Sequence, residues 1–303
     1  MHESMHRYMK VGIVHFMAFP EVIRGEGPIA DTLEQIVVDD YFDAVEITWM
    51  KDATEKARAK AMLEAGHISV AYGAQPSLLT TGLSPNALDE RDRQKAEDML
   101  RSQVDDAYDM GAVGLAFLAG KYEESTKDKA VEQLIKTTRS LCAYAESRGD
   151  LRIEVETFDY DIDKCSLLGP HDLAARVAAA IRRDHSNFGI LIDQSHFPLQ
   201  HLTIDDAVDP VLPYLTHVHI GNCVMGNKEM PAYGDQHPRY GIEHGMNDVP
   251  ELTAFLGKLL EAGFLNASDP PIVSFEVKPW GDEKSEVVIA NAKRALNRAW
   301  ALA

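Results

Sequence analysis

Three acidic residues and one histidine stand at the ends of four short apolar segments in the second half of the chain. They are Glu156, Asp193, His219 and Glu276. Three carboxylates with one imidazole form an oxygen-rich ligand set for a hard divalent cation, whereas Zn²⁺ more often attracts extra histidine or cysteine. We therefore expect one divalent metal ion at these residues, with Mn²⁺ preferred and Mg²⁺ or Co²⁺ as alternatives.

Such side chains can only meet if the strands that carry them end at one common edge. The chain contains eight β-branched or apolar runs, namely Val11–Phe16, Ala44–Ile47, Ile68–Tyr72, Val113–Leu118, Leu151–Val155, Gly189–Ile192, Thr216–Ile220 and Ile272–Phe275. Between them lie segments with apolar residues at helical spacing, such as Asp89–Asp109, Asp128–Ser147, His171–Arg183, Val249–Ala262 and Glu283–Ala301. This alternation, with no Pro/Ser-rich linker, predicts an α/β fold: a single (β/α)₈ TIM barrel as one domain over residues 1–303.

A doubly wound sheet is the competing fold. It normally has a glycine-rich turn after its first strand, but residues 15–20 contain no glycine. In a barrel, adjacent parallel strands lie about 4.8 Å apart, so side chains at the ends of four successive strands crowd together. Like charges at such distances would force a carboxyl group to protonate, and a bound cation removes that conflict.

Each residue taken singly also has a structural explanation. An acid at a strand end often caps a helix or faces solvent, and His217 or His219, which share a strand face, could be a core histidine. Glu154 and Glu156 share a face too. We prefer Glu156 as the metal ligand because it lies nearer the C-terminal mouth, with Glu154 as the alternative.

The longest irregular segment, residues 222–247, follows the seventh strand and is a candidate wall of the active site. Its Asp235, His237 and Arg239 are expected either to contact substrate oxygens or to hold the loop closed by hydrogen bonds. Lys278 could hold a phosphate or carboxylate, or pair with a neighbouring acid. The predicted substrate contacts are His15, His196, Asp235, His237, Arg239 and Lys278. Other strand-end residues that could line the pocket are Glu46, Gln75 and Lys121.

The Asp-x-x-His of Asp193 and His196, the His-x-His ending at His219 and the Ser-Phe-Glu ending at Glu276 resemble motifs of the xylose isomerase-like superfamily of TIM barrels. That superfamily includes ketose epimerases, hydroxypyruvate isomerase, inosose dehydratase and apurinic endonucleases. The resemblance covers the whole chain and implies that Glu156, Asp193, His219 and Glu276 hold the metal. It also implies a homo-oligomer, a dimer or tetramer. Where the epimerases have an asparagine after the strand-five glutamate, this chain has Thr157, which leaves the substrate open.

The resemblance implies a metal-dependent keto-sugar isomerase or epimerase that works by proton transfer through a metal-stabilised enediolate. Glu156 and Glu276 would act as base and acid on two sides of a small-molecule sugar. The first alternative is a lyase or dehydratase that eliminates a group from a keto-sugar or a 3-keto C-glycoside. The second is a sugar-binding barrel without catalysis, which would not need a second glutamate across the metal.

Charge and composition exclude other classes of function. Acids outnumber bases 48 to 30 and leave a formal charge of −18, the wrong sign for nucleic acid or an anionic membrane. The predicted ends of strands two and three lack the histidines that the apurinic endonucleases use for a trinuclear zinc cluster. The three cysteines have no CxxC spacing, and no apolar run is long enough to cross a membrane or serve as a signal peptide. We therefore expect a cytoplasmic protein.

Overall fold

Eight parallel strands form a nearly closed barrel in the computed structural model, which describes residues 3–303. The strands are β1 Lys10–Ile13, β2 Ala44–Ile47, β3 Ser69–Gly73, β4 Ala112–Leu118, β5 Arg152–Glu156, β6 Phe188–Asp193, β7 Leu215–Gly221 and β8 Ile272–Glu276. Each strand pairs with its neighbour in the chain from β2 to β8, and β8 pairs with β1. A single parallel bridge between Val14 and Glu46 joins the β1 and β2 sides. The predicted TIM barrel is thus confirmed.

Helices surround the barrel. In the described part of the chain they are α1 His15–Ala18, α2 Ile29–Val37, α3 Ala53–Gly66, α4 Gln75–Thr81, α5 Glu90–Asp109, α6 Lys127–Glu146, α7 His171–Arg182, α8 His196–Leu199, α9 Ile204–Val208, α10 Val249–Glu261 and α11 Ser285–Leu302. None of these helices is long and apolar enough to span a bilayer. The predicted domain of residues 1–303 also contains Met1 and His2, which lie outside the described residues.

The strands alternate between an apolar outer face and a small or polar inner face. In β5, Ile153 and Val155 are fully buried in the core, while Glu154 and Glu156 point into the barrel. The interior is narrow where it holds glycine: a Cβ atom on Gly12 would lie 2.5 Å from Ser274 Oγ. The main apolar core therefore lies between the barrel and its helices, and the barrel axis is left to polar side chains.

The first strand is shorter than predicted. It ends at Ile13, and the backbone then turns into α1, where Ala18 N–H donates to Val14 O. Apart from His15, the residues from Val11 to Phe16 are apolar or glycine, and such a run does not distinguish a strand from a buried helical turn. His15 and Phe16 therefore belong to a short helix.

We expect the substitution Gly189→Ala to destabilise the protein. A Cβ atom at Gly189 would lie 2.0 Å from Thr216 Oγ1, and overpacking of this kind costs about 1–3 kcal/mol. Gly257→Ala is the matched control, because Gly257 lies within α10 with nothing inside 4 Å of the added carbon and should be neutral or slightly stabilised. The free energy of unfolding in urea measures both. Equal stability of Gly189→Ala and the wild type would contradict the packing described.

Candidate active site

Four side chains at the C-terminal ends of adjacent strands form what we term the β5–β8 cluster: Glu156, Asp193, His219 and Glu276. Glu156, Asp193 and Glu276 are the last residues of β5, β6 and β8, and His219 lies opposite Asp193 in the β6–β7 register. One potential ligand atom from each residue lies within 4.8 Å of the other three, and all four residues are buried. The structure thus brings together the four residues that the sequence predicted as metal ligands.

Within the described chain, the atoms that meet in the β5–β8 cluster make no hydrogen bond of acceptable geometry. They are Glu156 Oε1, Asp193 Oδ2, His219 Nδ1 and Glu276 Oε2. From His219 Nδ1 the distances are 2.7 Å to Glu276 Oε2, 3.5 Å to Glu156 Oε1 and 4.0 Å to Asp193 Oδ2. Buried polar groups normally have partners, so four such atoms at one point fit the donor set of a bound cation.

Three of the four groups, those of Glu156, Asp193 and His219, are held in place by a hydrogen bond to their other polar atom. Gln75 Nε2 donates to Glu156 Oε2 at 2.7 Å, and the Ser195 backbone N–H donates to Asp193 Oδ1 at 2.6 Å. His219 Nε2–H donates to both oxygens of Glu46, at 2.9 and 3.0 Å. Because a carboxylate only accepts, the proton of the imidazole lies on Nε2, which directs Nδ1 into the cluster.

Burial and neighbouring charges shift the pKa values of Asp193 and His219. Burial raises the pKa of Asp193, and nearby Glu276 adds to that effect. Burial alone would lower the pKa of His219, but the carboxylates of Glu46, Glu156 and Glu276 outweigh it and raise that pKa well above its usual value. Without a metal the site therefore favours a protonated imidazole among its carboxylates, and a cation would take over that balancing role.

Glu154, the alternative ligand on β5, lies in the same barrel interior but makes other contacts. Thr216 Oγ1 donates to Glu154 Oε1 at 2.7 Å, and His217 Nδ1 lies 3.3 Å from Glu154 Oε2. His217 Nε2 lies 2.9 Å from Glu46 Oε1. Glu154 is therefore engaged two residues below the mouth, and it belongs to none of the potential ligand groups in the described chain.

A second polar group adjoins the cluster. Asp235 Oδ1 lies 3.0 Å from His196 Nε2 and 2.8 Å from His237 Nε2, and Lys164 Nζ lies 2.7 Å from Asp235 Oδ2. His196 Nδ1 also donates to the carbonyl oxygen of Thr157 at 2.8 Å. Burial opposes the charged imidazole of His196, but Asp235 and the neighbouring acids outweigh burial and raise its pKa to about 10. Lys164 in turn helps to hold the pKa of the buried Asp235 well below its usual value.

A cavity of about 280 Å³ opens above the β5–β8 cluster. Its polar lining includes Glu156, His219, Glu276, Gln75, Lys164, Asp235, Gln236, His237 and Lys278, and its apolar lining includes Val14, Phe16, Met17, Pro20, Ile23, Pro76, Leu79 and Phe158. Lys278 Nζ lies 3.2 Å from Gln236 Oε1 and 4.1 Å from the ring centre of Trp280. The loop of residues 222–247 therefore supplies part of the wall.

Three of the predicted substrate contacts, His15, His196 and Arg239, are not among the residues that line this cavity. His15 is buried with Nε2 at 2.9 Å from Thr32 Oγ1, and burial lowers its pKa to about 3. Arg239 pairs with Glu283 at 2.7 Å. The other predicted contacts, Asp235, His237 and Lys278, do line it.

Sequence reasoning missed three features of the site. It did not pair Glu46 with His219, it gave Lys164 no role, and it did not foresee the apolar lining. Glu46 does end a predicted strand, which was a usable signal. Lys164 lies in an irregular segment after β5, where no periodicity indicates the direction of a side chain.

The family model described as xylose isomerase-like TIM barrel matches residues 36–298. No curated protein sequence matches the chain.

Similar solved structures share this architecture. A D-tagatose 3-epimerase-like protein is 18% identical with a TM-score of 0.68, and the match covers 95% of this chain and 98% of that one. The 3-keto-D-glucoside 4-epimerase of E. coli is 16% identical with a TM-score of 0.68, covering 95% and 99%. A xylose isomerase-like TIM barrel protein of Mycobacterium smegmatis, in complex with magnesium, is 17% identical with a TM-score of 0.61, covering 99% and 100%. At these identities the structures support the fold, and the family model adds that the chain belongs to the xylose isomerase-like TIM barrel family.

Proposed function

We propose that the protein is a divalent-metal-dependent keto-sugar isomerase or epimerase, which moves a proton on the carbon beside the substrate's carbonyl group. The observation that carries the proposal is the convergence of four buried, unpartnered ligand atoms in the β5–β8 cluster. Two of the similar structures are a 3-epimerase-like protein and a keto-glucoside epimerase, which supports a keto-sugar as the small-molecule substrate.

The donor set of the cluster suits Mn²⁺, with Mg²⁺ or Co²⁺ as alternatives, because it is rich in carboxylate oxygen. When bound, such a cation holds the carbonyl and a neighbouring hydroxyl oxygen of a sugar and stabilises the negative charge that develops as the proton leaves. The protein's part is to hold Glu156, Asp193 and His219 towards one point, through Gln75, Ser195 and Glu46 respectively.

Glu156 and Glu276 are the proposed proton acceptor and donor. They end β5 and β8, which lie on either side of β6 and β7 in the sheet, so their carboxylates approach a sugar at the mouth from two directions. Both line the cavity. Acid–base help of this kind typically contributes about 10²–10⁴-fold in rate.

Substrate hydroxyl groups are proposed to contact His196, Asp235, His237 and Lys278, which lie beside the cluster. Both ring nitrogens of His196 already face an acceptor, the Thr157 carbonyl oxygen and Asp235 Oδ1. His196 could therefore donate to a substrate oxygen only if Asp235 moved away. Lys278 lines the cavity, and its contact with Gln236 uses one of three ammonium donors, so it needs no such change. His237 also lines the cavity, but its Nε2 lies 2.8 Å from Asp235 Oδ1, so it too would need Asp235 to move. A cytoplasmic location and a homo-oligomeric state stay predictions, to be checked by fractionation and sedimentation.

Glu46→Gln should weaken metal binding. The substitution removes the carboxylate that fixes the orientation and proton position of His219, and loss of such a partner typically costs about 10–100-fold in metal affinity. Calorimetric titration of chelator-treated protein with Mn²⁺ measures the dissociation constant. Glu26→Gln is the control, because Glu26 is exposed and pairs only with surface Lys51. An unchanged Mn²⁺ affinity in Glu46→Gln would contradict this account of His219.

Glu276→Gln should abolish proton transfer while it retains the fold and much of the Mn²⁺ binding. The amide still offers an oxygen to the metal but cannot accept a proton at neutral pH. Incorporation of solvent deuterium beside the carbonyl of keto-sugars, followed by mass spectrometry, should fall about 10²–10⁴-fold. Glu286→Gln, at an exposed position on α11, is the control and should exchange like the wild type.

The same assay separates the competing reactions. Exchange accompanied by release of water or an aglycone would identify a dehydratase or lyase in place of an isomerase. If the Mn²⁺-loaded wild type exchanges no deuterium with any of a broad panel of keto-sugars, the proposal is wrong, and a sugar-binding barrel without catalysis is the alternative that is left.

A further inference from the structure

The lining of the active-site cavity has a polar part and an apolar part. One part, which we term the apolar wall, consists of Phe16, Met17, Pro20, Ile23, Pro76 and Leu79. Its members come from only two segments, residues 16–23 after β1 and helix α4 after β3. In the sheet order these segments lie on the β1–β3 side of the mouth, across from β5, β6 and β7. A ligand held at the β5–β8 cluster therefore extends towards an apolar surface.

The apolar surface continues into a neighbouring cavity of about 480 Å³. The two cavities share Leu79 and Lys164, and the second is lined by further apolar side chains, among them Leu78, Leu83 and Leu118. Leu79 lies at the junction and is 49% exposed. There is therefore room beyond a single sugar ring, and it begins at Leu79.

Two polar groups near the apolar wall are already engaged. The Thr80 hydroxyl group, which lines the first cavity, donates to Pro76 O at 2.6 Å. Lys164, which lines both cavities, pairs with Asp235 at 2.7 Å. A sugar hydroxyl packed against the apolar side chains of this wall would lose its water without gaining a partner, which disfavours it. A charged group packed against them would be disfavoured more strongly.

We propose that the substrate is a keto-glycoside whose aglycone is an uncharged apolar group about the size of an aryl ring. The sugar lies at the β5–β8 cluster, and the aglycone packs on the apolar wall along Leu79. This inference rests on the proposed function, because the cluster must hold the sugar for the wall to receive its substituent. It goes further in naming the part of the substrate that does not react and the residues that select it.

The test compares two substrates that differ only in the aglycone. Deuterium exchange by the Mn²⁺-loaded protein is measured with methyl and phenyl 3-keto-D-glucoside, and equilibrium binding is measured by calorimetry with the unreactive methyl and phenyl D-glucosides. Burial of a phenyl ring on an apolar surface should lower KM and Kd at least about tenfold for the phenyl compounds. Equal values for the two aglycones would overturn the inference.

A variant locates the effect. Leu79→Ser, at a half-exposed position that the fold does not need to bury, should reduce the phenyl-to-methyl preference about fivefold. Leu88→Ser is the matched control, since Leu88 is 47% exposed and lines neither cavity, and it should keep the wild-type preference. An unchanged preference in Leu79→Ser would overturn the placement of the aglycone.

The two proposals fail differently. If free keto-hexoses exchange deuterium but the phenyl glycoside gains nothing over the methyl one, the glycoside inference alone is wrong. If no keto-sugar of either kind exchanges with the metal bound, the proposed function is wrong and the inference falls with it.

Discussion

Three carboxylates and an imidazole face one another at the mouth of the barrel. The carboxylates repel one another, and the surrounding side chains compensate this repulsion only in part. Taking charges out of water costs several kcal/mol for each ion unless opposite charge and hydrogen bonds compensate it. In the β5–β8 cluster the outward atoms of Glu156, Asp193 and His219 are compensated, by Gln75, Ser195 and Glu46, while the inward atoms make no hydrogen bond of acceptable geometry within the described chain. These hydrogen bonds orient three of the four groups towards a common point. A divalent cation at that point would turn the repulsion into coordination.

The barrel can hold this arrangement because successive residues of a strand face opposite sides, one towards the apolar core and one towards the polar axis. Ile153 and Val155 face the helices and supply apolar burial, while Glu154 and Glu156 face the axis. Below the cluster the polar axis continues through Glu46 and His217. Glu46 lies 2.9 Å from both His219 and His217, and His217 lies 3.3 Å from Glu154. The site is therefore the upper end of a buried network, and the outer core carries the stability that this network does not provide.

The sequence predicted the parts of the site that depend on local pattern. Alternating runs located all eight strands, and residues at the ends of consecutive strands in a barrel must lie close together, which brought the four cluster residues into one prediction. Long-range contacts were beyond its reach: Glu46 lies 173 positions from its partner His219. Arg239 was expected either to contact substrate oxygens or to hold its loop closed by hydrogen bonds, because a loop residue has no periodicity to show its direction. Its pairing with Glu283 agrees with the second role. The apolar wall was not predicted, because nothing in the sequence distinguishes an apolar residue that lines a cavity from one that is buried in the core.

The central claim is that one divalent cation is bound by Glu156, Asp193, His219 and Glu276. Anomalous diffraction from crystals of the protein loaded with Mn²⁺ tests it most directly, because the signal locates the metal without reference to any substrate or assay. The account predicts a single strong peak within coordinating distance of Glu156 Oε1, Asp193 Oδ2, His219 Nδ1 and Glu276 Oε2. A peak coordinated by Glu154, a peak among Asp193, His196 and His237 alone, or no peak in the barrel mouth would contradict it.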